Sequence, residues 1–111
     1  MTDMPQVEPV VVLCTWPADG DPRDAAATLV GERLAACVSI LPPMESIYRW
    51  QGAVERAQER QLLIKTTRGQ AEALLLRLGQ LHPYDVPEAL VVPTVGGSPA
   101  YRSWLAGSVG E

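Results

Sequence analysis

The stretch Gln80 to Glu88, QLHPYDVPE, gathers the chain's one histidine, a tyrosine, two carboxylates and two of its ten prolines into nine residues. An imidazole moves protons near neutral pH or ligates a metal, and carboxylates such as Asp85 and Glu88 hold a cation or orient a polar ligand. The same residues also punctuate the chain. The residue before a proline is pushed out of the α region, so His82-Pro83 ends a helix and Pro87 spaces the chain before a strand. The stretch reads first as a helix stop and strand start, with a ligand site laid over it. Two cysteines, Cys14 and Cys37, add soft sulfur. Their spacing matches no zinc-knuckle or thioredoxin-like motif, and each by itself reads as a small buried hydrophobe. No ordered series of nucleophile, base and orienting group accompanies the histidine, so a binding protein is expected and not an enzyme.

Something must position these groups, and the chain is long enough to do it with one core. A length of 111 residues makes one domain, expected over 10–111, with residues 1–9 as a loose tail. An apolar fraction of 47% with 20% charged residues fits an ordinary globular protein. No apolar run approaches the ~20 residues that span a bilayer, so no membrane partner is expected. The opening MTDMPQVEP carries Asp3 and no basic region, unlike a secretion signal. A cytoplasmic setting with reduced thiols follows as the expectation. The net charge of −4 and nine scattered basic residues leave no basic stripe for a phosphate backbone, which argues against nucleic acid.

Along the chain, Val10 to Trp16 is a continuous β-branched run, the pattern of a buried central strand. Asp21-Pro22 with Asp24 predicts a helix N-cap, a proline at N1 and an acidic first turn. Apolar residues at Ala26, Leu29, Val30, Leu34 and Cys37 form one helical stripe, giving out near Ala36. Cys37 to Ile40 then starts a strand that Pro42-Pro43 interrupts and Ser46 to Trp50 resumes. Gln51-Gly52 is a hairpin turn. Ala53 to Arg60 is helical by propensity alone, but a hairpin feeding directly into Leu62–Thr67 makes one long strand the simpler reading. Thr67-Arg68-Gly69-Gln70 has the form of a capping box, before a helix burying Ala71, Leu74, Leu75 and Leu78. A last strand over Ala89–Val95 and a short helix capped by Ser98-Pro99, with Tyr101, Trp104 and Leu105 on one face, complete the order β-α-β-β-α-β-α. That order predicts an α+β, ferredoxin-like split βαβ plait: a four-stranded antiparallel sheet, helices on one face, and a long hairpin between its second and third strands. One sheet face is left bare, and aromatic Tyr48 and Trp50 on the hairpin suggest a partner surface, most simply a homo-oligomer.

VVLCT on the first strand, ERLAACV after the first helix, IYRWQG at the hairpin, LHPYDVPE and the late YRSWL together resemble the CutA family of divalent-cation tolerance proteins. The likeness runs from Val10 to Leu105. It implies a ferredoxin-like fold, a tight cytoplasmic homotrimer in which hairpins extend sheets between subunits, and a link to copper and other divalent metals. The matching metal positions are Cys14 and His82, soft and borderline donors suited to Cu(I). Leu81 stands where family members can carry a second histidine, so one donor is missing. A second reading keeps the loop and drops the metal. As in the trimeric PII signalling proteins that the plait resembles, clefts between subunits would bind a small anionic metabolite, with Tyr48, Trp50, Lys65, Tyr84 and Glu88 as aromatic walls, one cation and one carboxylate.

Overall fold

A computed structural model describes residues 6–110, and the first five residues of the expected tail lie outside the described residues. The elements run β1 (Pro9–Pro17), α1 (Arg23–Gly31), β2 (Cys37–Ile40), β3 (Met44–Trp50), β4 (Ala53–Thr67), α2 (Arg68–Leu81), β5 (Leu90–Pro93) and α3 (Pro99–Gly107). All strand pairs are antiparallel, in the order β2-β4-β1-β5. β3 pairs with the other end of β4, so β2 and β3 lie along one edge with Pro42-Pro43 between them. The prolines lack the N–H that a continuous ladder would need. This is the ferredoxin-like plait. β4 is a single strand of 15 residues, as the hairpin argument predicts. Gln51 (φ 49°) and Gly52 (φ 82°) turn it back on β3, the two positive φ values of a type I′ turn.

Strand alternation sorts the sheet into two faces. Val12, Cys14 and Trp16 of β1 and Leu62 and Ile64 of β4 pack against Leu29 of α1 and Leu74 and Leu78 of α2.

Local chemistry differs from expectation at four places. α1 stops at Gly31, not near Ala36, because Arg33 takes a left-handed conformation (φ 62°). Arg33 and Leu34 donate their N–H groups back to Val30 and Leu29 in a Schellman-type end. The arginine stands where glycine is usual, and its guanidinium is held by the Gly107 and Gly110 carbonyls at 3.0 and 2.6 Å. Pro22, and not Asp21, occupies the N-cap of α1; Asp21 instead accepts the Arg23 N–H and pairs with its guanidinium. The capping box of α2 does not form. Thr67 is the N-cap but its hydroxyl caps nothing, and the Glu8 and Gln6 carbonyls accept the Arg68 and Gly69 N–H groups at 2.8 Å each. The inner end of the expected tail is therefore docked on α2, and Pro9 is already in the sheet. Finally, α3 buries only Leu105 of its predicted face, leaving Tyr101 and Trp104 stacked on each other and exposed.

Candidate functional site

β5 pairs with β1 only as far as Leu13, which leaves the edge of β1 at Thr15 free of strand partners on that side. The Pro83–Glu88 loop fills the vacancy. His82, the C-cap of α2, anchors it. Its Nε2–H donates to the Thr15 carbonyl at 2.7 Å, and its Nδ1 accepts the Tyr84 N–H at 3.0 Å. These two partners select the neutral Nε2–H tautomer, since one offers only a lone pair and the other only a proton. The ring lies 4.3 Å from the Trp16 ring and 4.9 Å from that of Tyr84. Burial lowers the His82 pKa below its ordinary 6.5, against the opposing pull of the Thr15 carbonyl and the Glu59 charge.

Cys14 sits on the same side of the sheet, fully buried, its S–H toward the Thr15 carbonyl at 3.5 Å. Desolvation, with the Glu88 and Glu59 charges adding to it, pushes its thiol up to about 12. A metal needs a thiolate and a free imidazole lone pair. Here the thiolate is strongly disfavoured and both ring nitrogens are committed, so Cys14 and His82 as folded do not fit a copper ion. Among the described residues no three His, Cys, Asp or Glu side chains converge as a metal site. Cys37 lies on β2 opposite Lys65, on the other sheet face from Cys14, and adds no donor to that pair.

On that other face the loop and the hairpin enclose a groove of about 980 Å³. Its floor is Thr15, Glu59 and Gln61, its walls Tyr48 and Trp50 on one side and Pro83 to Glu88 on the other. Tyr84 Oη donates to Glu59 Oε2 at 2.8 Å, which holds the loop to β4; burial first, and then this bond, raises the phenol pKa. The Gln61 amide bridges the Cys14 carbonyl (3.0 Å) and Glu88 Oε2 (3.1 Å), tying the end of the loop to the sheet. Four of the five residues expected in a cleft between subunits, Tyr48, Trp50, Tyr84 and Glu88, line this groove within one chain instead. Lys65 does not. It lies four residues beyond Gln61 along β4, roughly 13 Å at strand rise, and is absent from the lining. Asp85 of the same loop, with Glu45 and Glu59, which sequence reasoning did not place, makes the lining acidic instead. The only advance signal for Glu59 was its place on a strand exposing every second residue, and no pattern told which face would be roofed. Among the described residues no lysine or arginine lines the groove, which leaves no cation in it for an anionic metabolite.

The family model of the CutA1 divalent ion tolerance protein matches residues 10–108. The chain is 46% identical over 109 residues to the divalent-cation tolerance protein CutA of Pectobacterium atrosepticum, covering 98% of this chain and 99% of that one. Its fold matches the solved divalent cation tolerance protein of Thermus thermophilus with a TM-score of 0.88 at 47% identity, over 92% of this chain and 99% of the other. It also matches the structure described as the periplasmic divalent cation tolerance protein CutA of Archaeoglobus fulgidus, with a TM-score of 0.86 at 25% identity, over 92% and 99% of the two chains.

Proposed function

The chain belongs to the CutA1 divalent ion tolerance family, and from that premise we propose that it acts in the response to metal ions as a cytoplasmic homotrimer assembled through its open sheet edges. The observation that carries the assembly is β5. Its outer edge has no strand partner among the described residues, and Leu90, Val91 and Val92 are 61%, 40% and 40% exposed. A short apolar edge with free N–H and C=O groups on one side is a template for another strand. β3, on the opposite edge of the sheet, offers a matching free ladder along Met44–Trp50 and an exposed Ile47. Adding β3 of one copy to β5 of the next is a head-to-tail contact, and such contacts make a ring when the rotation between copies closes. Trimer closure is what the family resemblance supplies. The free thiols of Cys14 and Cys37 suit a reducing compartment.

Copper belongs to the proposal as the challenge that the protein answers, not as an ion resting on Cys14 and His82. That pair would ligate only after the imidazole gave up its bonds to Thr15 and Tyr84. Native mass spectrometry under reducing conditions tests the reading: the expected species is three 12.0-kDa chains. Val91→Lys, which puts a charge on the β5 edge, should yield folded monomers. In a bacterium lacking its own family member and challenged with copper salts, the parent should restore growth and Val91→Lys should not. A parent protein that runs as a folded monomer overturns the assembly, and growth restored equally by both chains separates tolerance from it.

A further inference from the structure

We infer that α3 belongs to the contact between copies, its Tyr101–Trp104 pair seating the β3–β4 hairpin of a second copy through Ile47 and Val54. The inference rests on the proposed assembly and extends it from the sheet edge to a helix. Composition is the first ground. From Leu90 to Trp104 every residue except Thr94 is exposed, yet Arg102 is the single charged side chain among them, in a chain that is 20% charged. Val95 is fully exposed, and Tyr101 and Trp104 are 44% and 50% exposed. The core of an interface is depleted of charge and enriched in aromatic residues, and this stretch has that composition while open to water.

α3 is built as a platform. Ser98 caps its N-terminus by accepting the Tyr101 N–H at 3.3 Å. Arg33 holds the Gly107 and Gly110 carbonyls at the other end. Between these ends only Leu105 is buried, and the two rings stack with centroids 5.4 Å apart. A partner therefore meets aromatic area that is already ordered, at little further cost in entropy. Size makes the platform necessary. β5 spans four residues, about 13 Å of ladder, whereas a stable contact covers about 800 Å² on each partner. β3 has seven residues against those four, so at least three extend past β5 in any register. α3 follows β5 closely in the chain and packs on β1 and β4, the strands next inward, so it flanks the added strand.

The chain itself supplies the matching surface. Ile47 and Val54 share the hairpin face opposite Tyr48 and Trp50, and at 60% and 65% exposure they are its most exposed large apolar side chains. Both halves of the contact thus lie on one sequence, at opposite edges of one sheet, which makes a second copy the occupant.

Photo-crosslinking of the full chain, with benzoylphenylalanine in place of Trp104, tests the contact directly. A covalent dimer is expected whose attached peptide comes from residues 44–56. Subunit exchange between isotope-labelled and unlabelled protein, followed by native mass spectrometry, measures the contribution of the platform. Trp104→Ser should speed exchange about tenfold or more, the loss of one aromatic anchor. Leu76→Ser removes an exposed leucine from α2 and should leave the rate unchanged. Both variants alter exposed sites and should keep the parent's far-UV circular dichroism. With the parent assembled, three results overturn this inference and leave the β5 contact standing: no covalent dimer, an attached peptide from outside the hairpin, or a parent-like exchange rate for Trp104→Ser. Exchange sped equally by Leu76→Ser also overturns it, because any exposed apolar side chain would then do the same. A parent that runs as a monomer overturns both readings.

Discussion

Cys14 and Thr15 are neighbours on one strand, yet they face regions built on opposite terms. On the Cys14 side, Trp16, His82 and the core leucines close the space, and each polar atom of the imidazole has one partner of the right kind. On the Thr15 side, the loop and hairpin stand apart over a groove whose lining, among the described residues, holds carboxylates and no lysine or arginine. The Cys14 thiol and the His82 imidazole, the groups most associated with metals, are shut away as structure. Those left open to solvent are acids and aromatic rings. Reactivity is thus a property of the environment, because a donor counts only if its lone pair is free and its charged form tolerated. His82 joins the two regions: its Nε2–H secures the closed side, while its Nδ1 sets the loop that walls the open one.

The largest effect should come from the closed side. Trp16→Ala, at a site 6% exposed, should cost about 3–5 kcal/mol in urea denaturation. Trp50→Leu, at a site 48% exposed, should cost less than about 1 kcal/mol in the same measurement. Equal costs would mean that the hairpin is as closed as the core, and the contrast between the two regions would collapse. His82→Ala comes next. It removes two hydrogen bonds and leaves a buried carbonyl without its donor, for a loss of about 2–3 kcal/mol. Its affinity for Cu(I), titrated against a competing chelator under reducing conditions, should equal the parent's. A clear loss would make the imidazole a ligand after all.

The pH dependence follows from the same imidazole. Its folded pKa lies below its unfolded value of about 6.5, so the unfolded chain takes up the proton first as pH falls. The stabilisation is fully present above that value and is lost progressively below it, until the folded histidine is itself protonated. Urea midpoints at pH 7.5 and 5.5 should therefore drop in the parent, and drop by less in His82→Gln, which cannot titrate. The smallest effect is on the thiols, and it costs no stability. In native protein a maleimide should label the half-buried Cys37 well before Cys14, whose thiol stays protonated at neutral pH. Equal labelling rates would show that the closed side opens readily.

Much of this protein was legible in its residues alone. β-branched runs, helical stripes and the Gln51-Gly52 turn lead directly to the ferredoxin-like plait, because alternation and helical periodicity are local properties that burial then reinforces. The family, too, is carried by short motifs in order. The helix ends were less accessible: the Arg33 turn depends on carbonyls 74 and 77 residues away, and α2 is capped by backbone from the chain's beginning. Pairing of side chains across the sheet was out of reach. Nothing in QLHPYDVPE tells that Nε2 of His82 is consumed by Thr15, or that Glu59 lies beneath Tyr84, since those contacts span 67 and 25 residues. Composition and periodicity determine which elements form and which face is apolar. Only the folded sheet decides which donors keep a free lone pair and which charges lack a partner, because both depend on what long-range packing brings within about 3 Å.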